Sequence, residues 1–314
     1  MSAARAARPA RAVRAARALV AALAIGGAAA LAACAPAAPG SDEPHVIATT
    51  NILGDVTAAL VGEAGTVTTL MKPNADPHSF EISAREAAAL SEADLLVSNG
   101  LGLEENVEQH LETAAAAGAP RFVAGDHVEV LDGPGGAPDP HFWTDPARMI
   151  DVVDALEEAL AGIDGVDVAE VGANADAYRS ELRRLDDDMT AAFAAIPEPN
   201  RALVTNHHVF GYLAERFDFR VIGAAVPSGT TLASPSAADL EELASAIEST
   251  GVPTIFADSS QPDRLMQVLA SEVGVHVDVV PLFTESLTEP GGGAPTYLDM
   301  MRANTALISE GLNP

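Results

Sequence analysis

The tripeptide Asp-Pro-His occurs twice, as Asp76-Pro77-His78 and Asp139-Pro140-His141, in a chain with only 8 histidines. Proline fixes its own φ and biases the residue before it toward extended backbone. Each tripeptide therefore presents one imidazole stiffly, and neutral imidazole is the commonest protein metal ligand. Two such loops facing one another would supply half of a metal site. Candidates for the other half are the adjacent pair His207-His208 and Glu285, in Leu282-Phe283-Thr284-Glu285-Ser286. Only one of two adjacent histidines can readily point into a shared cleft. Three imidazoles and one carboxylate suit Zn²⁺, with ligand distances of about 2.0–2.2 Å. If the carboxylate bound through both oxygens, Mn²⁺ or Fe²⁺ would accept the five donors. The donor set lacks thiolate, which argues against Cu(I) and iron–sulfur clusters. Asp76 and Asp139 are placed to accept hydrogen bonds near their own histidines. His45, His110, His127 and His276 read as surface residues and Trp143 as packing. Asp258, which ends a strand, ranks behind Glu285 as a rim or outer group.

The elements that must position these residues follow from patterning. Short β-branched runs at His45–Thr50, Thr66–Met71, Leu95–Ser98 and Arg121–Ala124 alternate with helical stretches at Leu53–Val61, from Ser83 and at Glu104–Ala117. Ser83 with Glu86 three residues on is a capping-box start. Such alternation predicts a largely parallel α/β sheet. Two helical stretches follow, Asp145–Ile163 and Val168–Ala195. A second alternating series has strands at Ala202–Thr205, Arg220–Gly223, Thr254–Ala257 and Val277–Val280, and a last helix at Pro295–Leu312. The fold class expected is α/β: two lobes, each a mostly parallel sheet flanked by helices, joined by one long rigid helix. The expected boundaries are 45–165 for the first lobe, 166–198 for the linking helix and 199–314 for the second lobe. In open α/β sheets ligands bind outside the carboxyl ends of strands. His78, His141, His207 and Glu285 all fall after strands, two per lobe, so a shared ion would lie in the cleft between lobes.

Composition bounds the class. The chain has 314 residues, 48% hydrophobic and 4% aromatic, so its cores must be built from Ala, Val, Leu and Ile. Formal charge is −28, from 17 basic and 45 acidic residues. Five of the bases are arginines in residues 1–33, which hold no acid, so the remainder is more acidic still. Such a surface repels nucleic acid and anionic headgroups. The Arg-rich start leads into an apolar run, Ala18–Ala33, shorter than the roughly 20 residues of a membrane-spanning helix. It fits an export signal. Leu31-Ala32-Ala33-Cys34 resembles a bacterial lipobox, and Cys34, the only cysteine, is the expected lipidation site. Residues 1–33 are then a lipoprotein signal peptide and 34–44 a tether to the extracytoplasmic face of the membrane.

These segments resemble the metal-binding lipoproteins of ABC transporters, the zinc/manganese solute-binding family (cluster A-I), over nearly all of the chain after Cys34. The resemblance rests on Leu70–Ser83 around Pro77-His78-Ser79-Phe80-Glu81, on Ser98-Asn99-Gly100-Leu101-Gly102-Leu103-Glu104 and on Asp139–Asp145. It rests also on His-His-Val-Phe-Gly-Tyr-Leu at 207–213 and on Pro281–Met301, ending in Tyr-Leu-Asp-Met-Met. It implies two lobes bridged by a rigid helix, one ion in the cleft, and the ligands His78, His141, His207 and Glu285. His207 is preferred over His208 because the family places its histidine three residues before the phenylalanine, here Phe210. It implies a monomeric receptor with no catalytic step that captures Zn²⁺, or Mn²⁺ or Fe²⁺, and passes it to a membrane permease, with a periplasmic metallochaperone as a further partner. Two features depart from the family: it usually has aspartate where this chain has Glu285, and the His-rich loop of zinc-specific members is reduced to His127. A secreted three-histidine zinc hydrolase is the competing class. It lacks support from any His-Glu-x-x-His, Gly-x-Ser-x-Gly or nucleophile–base pair. Cell adhesion is compatible with a tethered receptor.

Overall fold

A computed structural model describes residues 43–313. The expected signal peptide, the expected lipidation site Cys34 and the expected tether up to residue 42 lie outside the described residues. The first sheet consists of β1 (His45–Ala48), β2 (Thr66–Thr69), β3 (Leu95–Ser98) and β4 (Arg121–Val123), in the order β2-β1-β3-β4. Every ladder is parallel, with Val46 opposite both Val67 and Leu95. The chain steps from β1 to β2 on one side, then to β3 on the other. The crevice where that order reverses, beyond the carboxyl ends of β1 and β3, is where such sheets bind ligands.

Helices α1 (Asn51–Val61), α2 (Ala84–Ala89) and α3 (Glu108–Ala116) connect these strands. The capping box at Ser83 is formed, with its hydroxyl accepting from Glu86 N–H and the Glu86 carboxylate from Ser83 N–H. Helix α3 starts four residues later than its pattern suggests. Glu104 is diverted inward, where it accepts from the Thr49 hydroxyl and the Asn99 and Gly100 amides.

Helices α4 (Pro146–Ala161) and α5 (Val168–Ala194) follow without a strand between them. Asp145 and Asp167 cap their first turns. At 27 residues, α5 extends about 40 Å at 1.5 Å per residue. Its buried stripe, Val171, Ala175, Tyr178, Leu182, Leu185, Met189 and Phe193, keeps helical spacing and packs on α1, α4 and the last helix, α9 (Tyr297–Leu312).

The second series forms two parallel ladders: β5 (Ala202–Thr205) with β6 (Arg220–Ala224), and β7 (Thr254–Asp258) with β8 (Asp278–Leu282). Helices α6 (Gly211–Phe217), α7 (Ala237–Thr250) and α8 (Arg264–Glu272) lie between them. Strand alternation splits their side chains between two cores. Ala202, Val204, Ile255 and Ala257 face a local core with α7 and α8. Leu203, Phe256 and Leu282 face the large core shared with β1, β3, α1, α4, α5 and α9. Through that shared core residues 43–313 pack as one unit.

Candidate metal centre

Each Asp-Pro-His uses its aspartate to fold its own turn. Asp76 Oδ1 accepts the His78 N–H at 2.9 Å, and Asp139 Oδ1 accepts the His141 N–H at 3.0 Å. Beyond that the two frames differ. Asp139 Oδ1 also lies 2.7 Å from His141 Nδ1. That contact keeps the proton on Nδ1 and leaves Nε2 as the free donor. Asp76 makes no contact with the ring of its histidine. Its Oδ2 accepts instead from Ser79, Thr231 and Gln261.

His207 follows β5, where the Thr205 hydroxyl donates to its carbonyl at 2.6 Å. The helix that follows reaches back to the first sheet. Tyr212 donates its hydroxyl to the Asp139 carbonyl at 2.7 Å, and a Cβ on Gly211 would lie 2.5 Å from Asp139 Oδ2. Gly211 is therefore there to admit the carboxylate that orients His141. Glu285 follows β8, in a loop tied to the first half of the chain. Trp143 Nε1 donates to the Thr284 carbonyl at 2.9 Å. Asn51 donates to Ser286 at 2.9 Å and accepts from Leu287 N–H at 3.0 Å.

These loops bring His78, His141, His207 and Glu285 together, with one donor atom from each inside a 4.8 Å span and all four side chains buried. Glu285 Oε1 lies 3.0 Å from His78 Nε2, 3.1 Å from His207 Nε2 and 3.2 Å from His141 Nε2. A tetrahedral ion with bonds of about 2.0–2.1 Å has ligand–ligand edges of about 3.4 Å, close to the three spacings from Glu285 Oε1 to the imidazole nitrogens. His141 Nε2 and Glu285 Oε2 are buried without hydrogen-bond partners, as are the Nδ1 atoms of His78 and His207 on the far sides of their rings. Buried polar atoms are ordinarily satisfied, and a cation among the four groups would repay part of that deficit.

The electrostatics point the same way. Burial works to raise the Glu285 carboxyl, but His207, His141 and His78 outweigh it and hold it well below the usual range. Burial also opposes charge on His141, yet Asp139 and Glu285 raise its pKa to about 9. The group of four is built around positive charge. Asp258, buried behind them, is pushed up to about 6 by burial and by the Glu285 charge.

Among the described residues, the remaining histidines stand apart from this group. His208 is half-buried and only its backbone is engaged, donating to the Ser228 carbonyl. His110, His127 and His276 are exposed, with His127 stacked on Phe122. His45 bonds Thr68 at the sheet edge. Trp143 does more than pack. It sits edge-on to His141 at 5.2 Å, holds the Glu285 loop, and accepts the Tyr297 hydroxyl on its carbonyl at 2.6 Å. Asn51, Asn99 and Glu104 also support the site loops. Asn99 donates to the Pro140 carbonyl at 3.0 Å, beside His141, while Glu104 fixes Asn99. Asn99 and Glu104 lie in the Ser98–Glu104 segment that carries the family resemblance, whereas the sequence signal for Asn51 is only a polar residue shortly past the end of β1.

Comparison with known proteins places this geometry. Residues 46–311 match the family model described as ZnuA, zinc-uptake complex component A, periplasmic. The chain is 26% identical over 269 residues to the manganese-binding lipoprotein MntA of Halalkalibacterium halodurans, covering 85% of this chain and 88% of that one. It is 25% identical over 268 residues to the iron-binding protein YfeA of Yersinia pestis, covering 85% of each. The structure superposes on the periplasmic zinc-binding protein TroA of Treponema pallidum with a TM-score of 0.82 at 26% identity, over 87% of this chain and 100% of that one. The family match spans the four-stranded sheet, the two later ladders, the linking helix and all four clustered residues, and the chain belongs to the zinc-uptake complex component A family of metal-binding ABC transporter components.

Proposed function

We propose that this protein captures a divalent metal ion, Zn²⁺ above others, with His78, His141, His207 and Glu285, and delivers it to an ABC permease in the membrane. The observation that carries this reading is the convergence of three buried imidazole nitrogens on one buried carboxylate oxygen. Relatives named for manganese and iron leave the metal open within the family. A donor set of three imidazole nitrogens and one carboxylate oxygen favours zinc. The role is binding without a catalytic step, since four protein donors would fill a tetrahedral ion's coordination and leave no open position for water. The lobes are 45–165 and 199–314, joined by 166–198. Lipidation at Cys34 holds the protein on the extracytoplasmic face beside its permease, in keeping with relatives named as lipoproteins.

Calorimetric titration with Zn²⁺ and Mn²⁺ in competition tests the reading. One Zn²⁺ per chain is expected, with preference over Mn²⁺. His78→Ala and His141→Ala are each expected to lose more than the roughly 10–100-fold that removal of an outer-shell partner costs. Unchanged affinity in both variants would sink the site, and preference for Mn²⁺ would sink the zinc assignment alone.

A further inference from the structure

The two Asp-Pro-His frames pose a question that metal ligation does not answer. Asp139 orients the ring of its histidine, while Asp76 leaves the His78 ring alone. Yet Asp76 is nearly as buried as Asp139, and among the described residues no cation pairs with it. A buried carboxylate without a counter-ion must be satisfied by hydrogen-bond donors. Two of its donors come from the other half of the chain: Thr231 Oγ1 at 2.6 Å and Gln261 Nε2 at 2.8 Å, both on Oδ2.

Thr231 belongs to a strap, Val226–Leu232, between β6 and α7. The strap is rooted beside His207. Val226 N–H donates to the Asn206 carbonyl, and the Ser228 carbonyl accepts from His208 N–H. Its far end crosses to the first half, where Thr231 meets Asp76 and Thr230 donates to Glu105 at 3.0 Å. No residue of the strap enters an apolar core, so the strap can lift without breaking one. It also forms one wall of a cavity of about 200 Å³. Ser228 and Thr230 face Gly102, Pro138 and Pro140 across it, with Pro140 next to His141. Gln261 approaches Asp76 from the loop after β7, so two loops of the second half converge on one carboxylate two residues from His78.

We propose that Asp76 is a positioning residue that latches the Val226–Leu232 strap and the Gln261 loop over the metal centre, and that this latch sets how fast the bound ion leaves. The inference rests on the metal-binding reading above. It adds that retention is controlled by hydrogen bonds that do not touch the ion. Asp76 joins the loop carrying His78 to the strap rooted at His207, so loosening it frees those two donors to separate. It also lets the cavity beside Pro140 widen.

The test compares full-length protein with Thr231→Val, Gln261→Leu and the double variant, which leave Asp76 and its bond to His78 N–H intact. Protein loaded with Zn²⁺ is mixed with excess EDTA and release is timed. The visible spectrum of the Co²⁺-loaded protein reports ligand geometry separately. The double variant is expected to release Zn²⁺ about tenfold faster or more, as loss of two hydrogen bonds to a carboxylate implies, with an unchanged Co²⁺ spectrum. In an Asp76→Ala background the same two substitutions should add nothing further. Release at the wild-type rate, an altered Co²⁺ spectrum, or full additivity with Asp76→Ala would each overturn the latch. Failure of wild type to take up either metal would overturn the metal-binding reading itself.

Discussion

At the scale of single residues, the site depends on which nitrogen of each histidine is free. Asp139 decides this for His141, because a carboxylate on Nδ1 can only accept. Asp139→Asn offers an amide that can donate, so part of the population takes the wrong tautomer. A loss of about 10–100-fold in Zn²⁺ affinity is expected in competition titrations, and an unchanged affinity would remove Asp139 from this role. Gly211→Ala should act through the same atom, because its added Cβ would sit 2.5 Å from Asp139 Oδ2. It is expected to weaken Zn²⁺ binding in the same titration while Gly172→Ala, a control on α5 whose added Cβ would meet only the end of the Glu157 side chain at 3.3 Å, does not. His78 and His141 were legible because a stiff, repeated tripeptide is a local signal. His207 could be separated from His208 only through the family pattern ending at Phe210, since side-chain direction in a loop is set by tertiary contacts. The divergence of the two aspartates was not legible, because Thr231 and Gln261 are far from Asp76 in sequence.

At the scale of elements, strand ends and their loops do the positioning. The strands were readable to within about two residues from β-branched runs, and the Ser83 capping box from its spacing. The start of α3 was not, because Glu104 leaves the helix to close the loop after β3. That loop holds Gly100, Leu101 and Gly102 at positive φ, and Glu104 accepts from two of its amides. Burial, resisted by the hydrogen bonds from Thr49, Asn99 and Gly100, raises the Glu104 carboxyl above its usual value of 4.5. A carboxyl raised in the folded state binds its proton more tightly than the unfolded chain does. Its stabilising contribution is present below pH 4.5 and is lost as pH rises through the folded pKa. The stability of wild type relative to Glu104→Gln, from urea denaturation of metal-free protein, should therefore fall as pH is raised above 4.5. A difference that grows with pH would contradict this. Asn51→Ala removes two of the hydrogen bonds that anchor the Glu285 loop, leaving that from Trp143, and is expected to cost roughly 1–3 kcal/mol in the same measurement.

At the scale of the whole molecule, the chain order suggests two ligands per half, but the hydrogen bonds distribute them differently. Glu285 comes from the second half, yet Asn51 and Trp143 of the first half hold its loop. Asp139 comes from the first half, yet Tyr212 and Gly211 of the second half hold it. The α/β class and the long helix were legible because their apolar periods are local. The interlocking was not, because it depends on buried polar residues whose partners lie far away in sequence. Leu182, on α5, lies in the core shared by the first sheet and the second half of the chain. Leu182→Ala should lower stability by about 2–5 kcal/mol and leave Zn²⁺ affinity within twofold of wild type, as read by denaturation and titration together. The central claim, one ion held by four named side chains from both halves, is tested most directly by anomalous diffraction at the zinc edge from crystals of Zn²⁺-loaded protein. The expected result is one peak about 2.0–2.2 Å from Nε2 of His78, His141 and His207 and from a carboxylate oxygen of Glu285. A peak elsewhere, or one lacking any of the four, would contradict it.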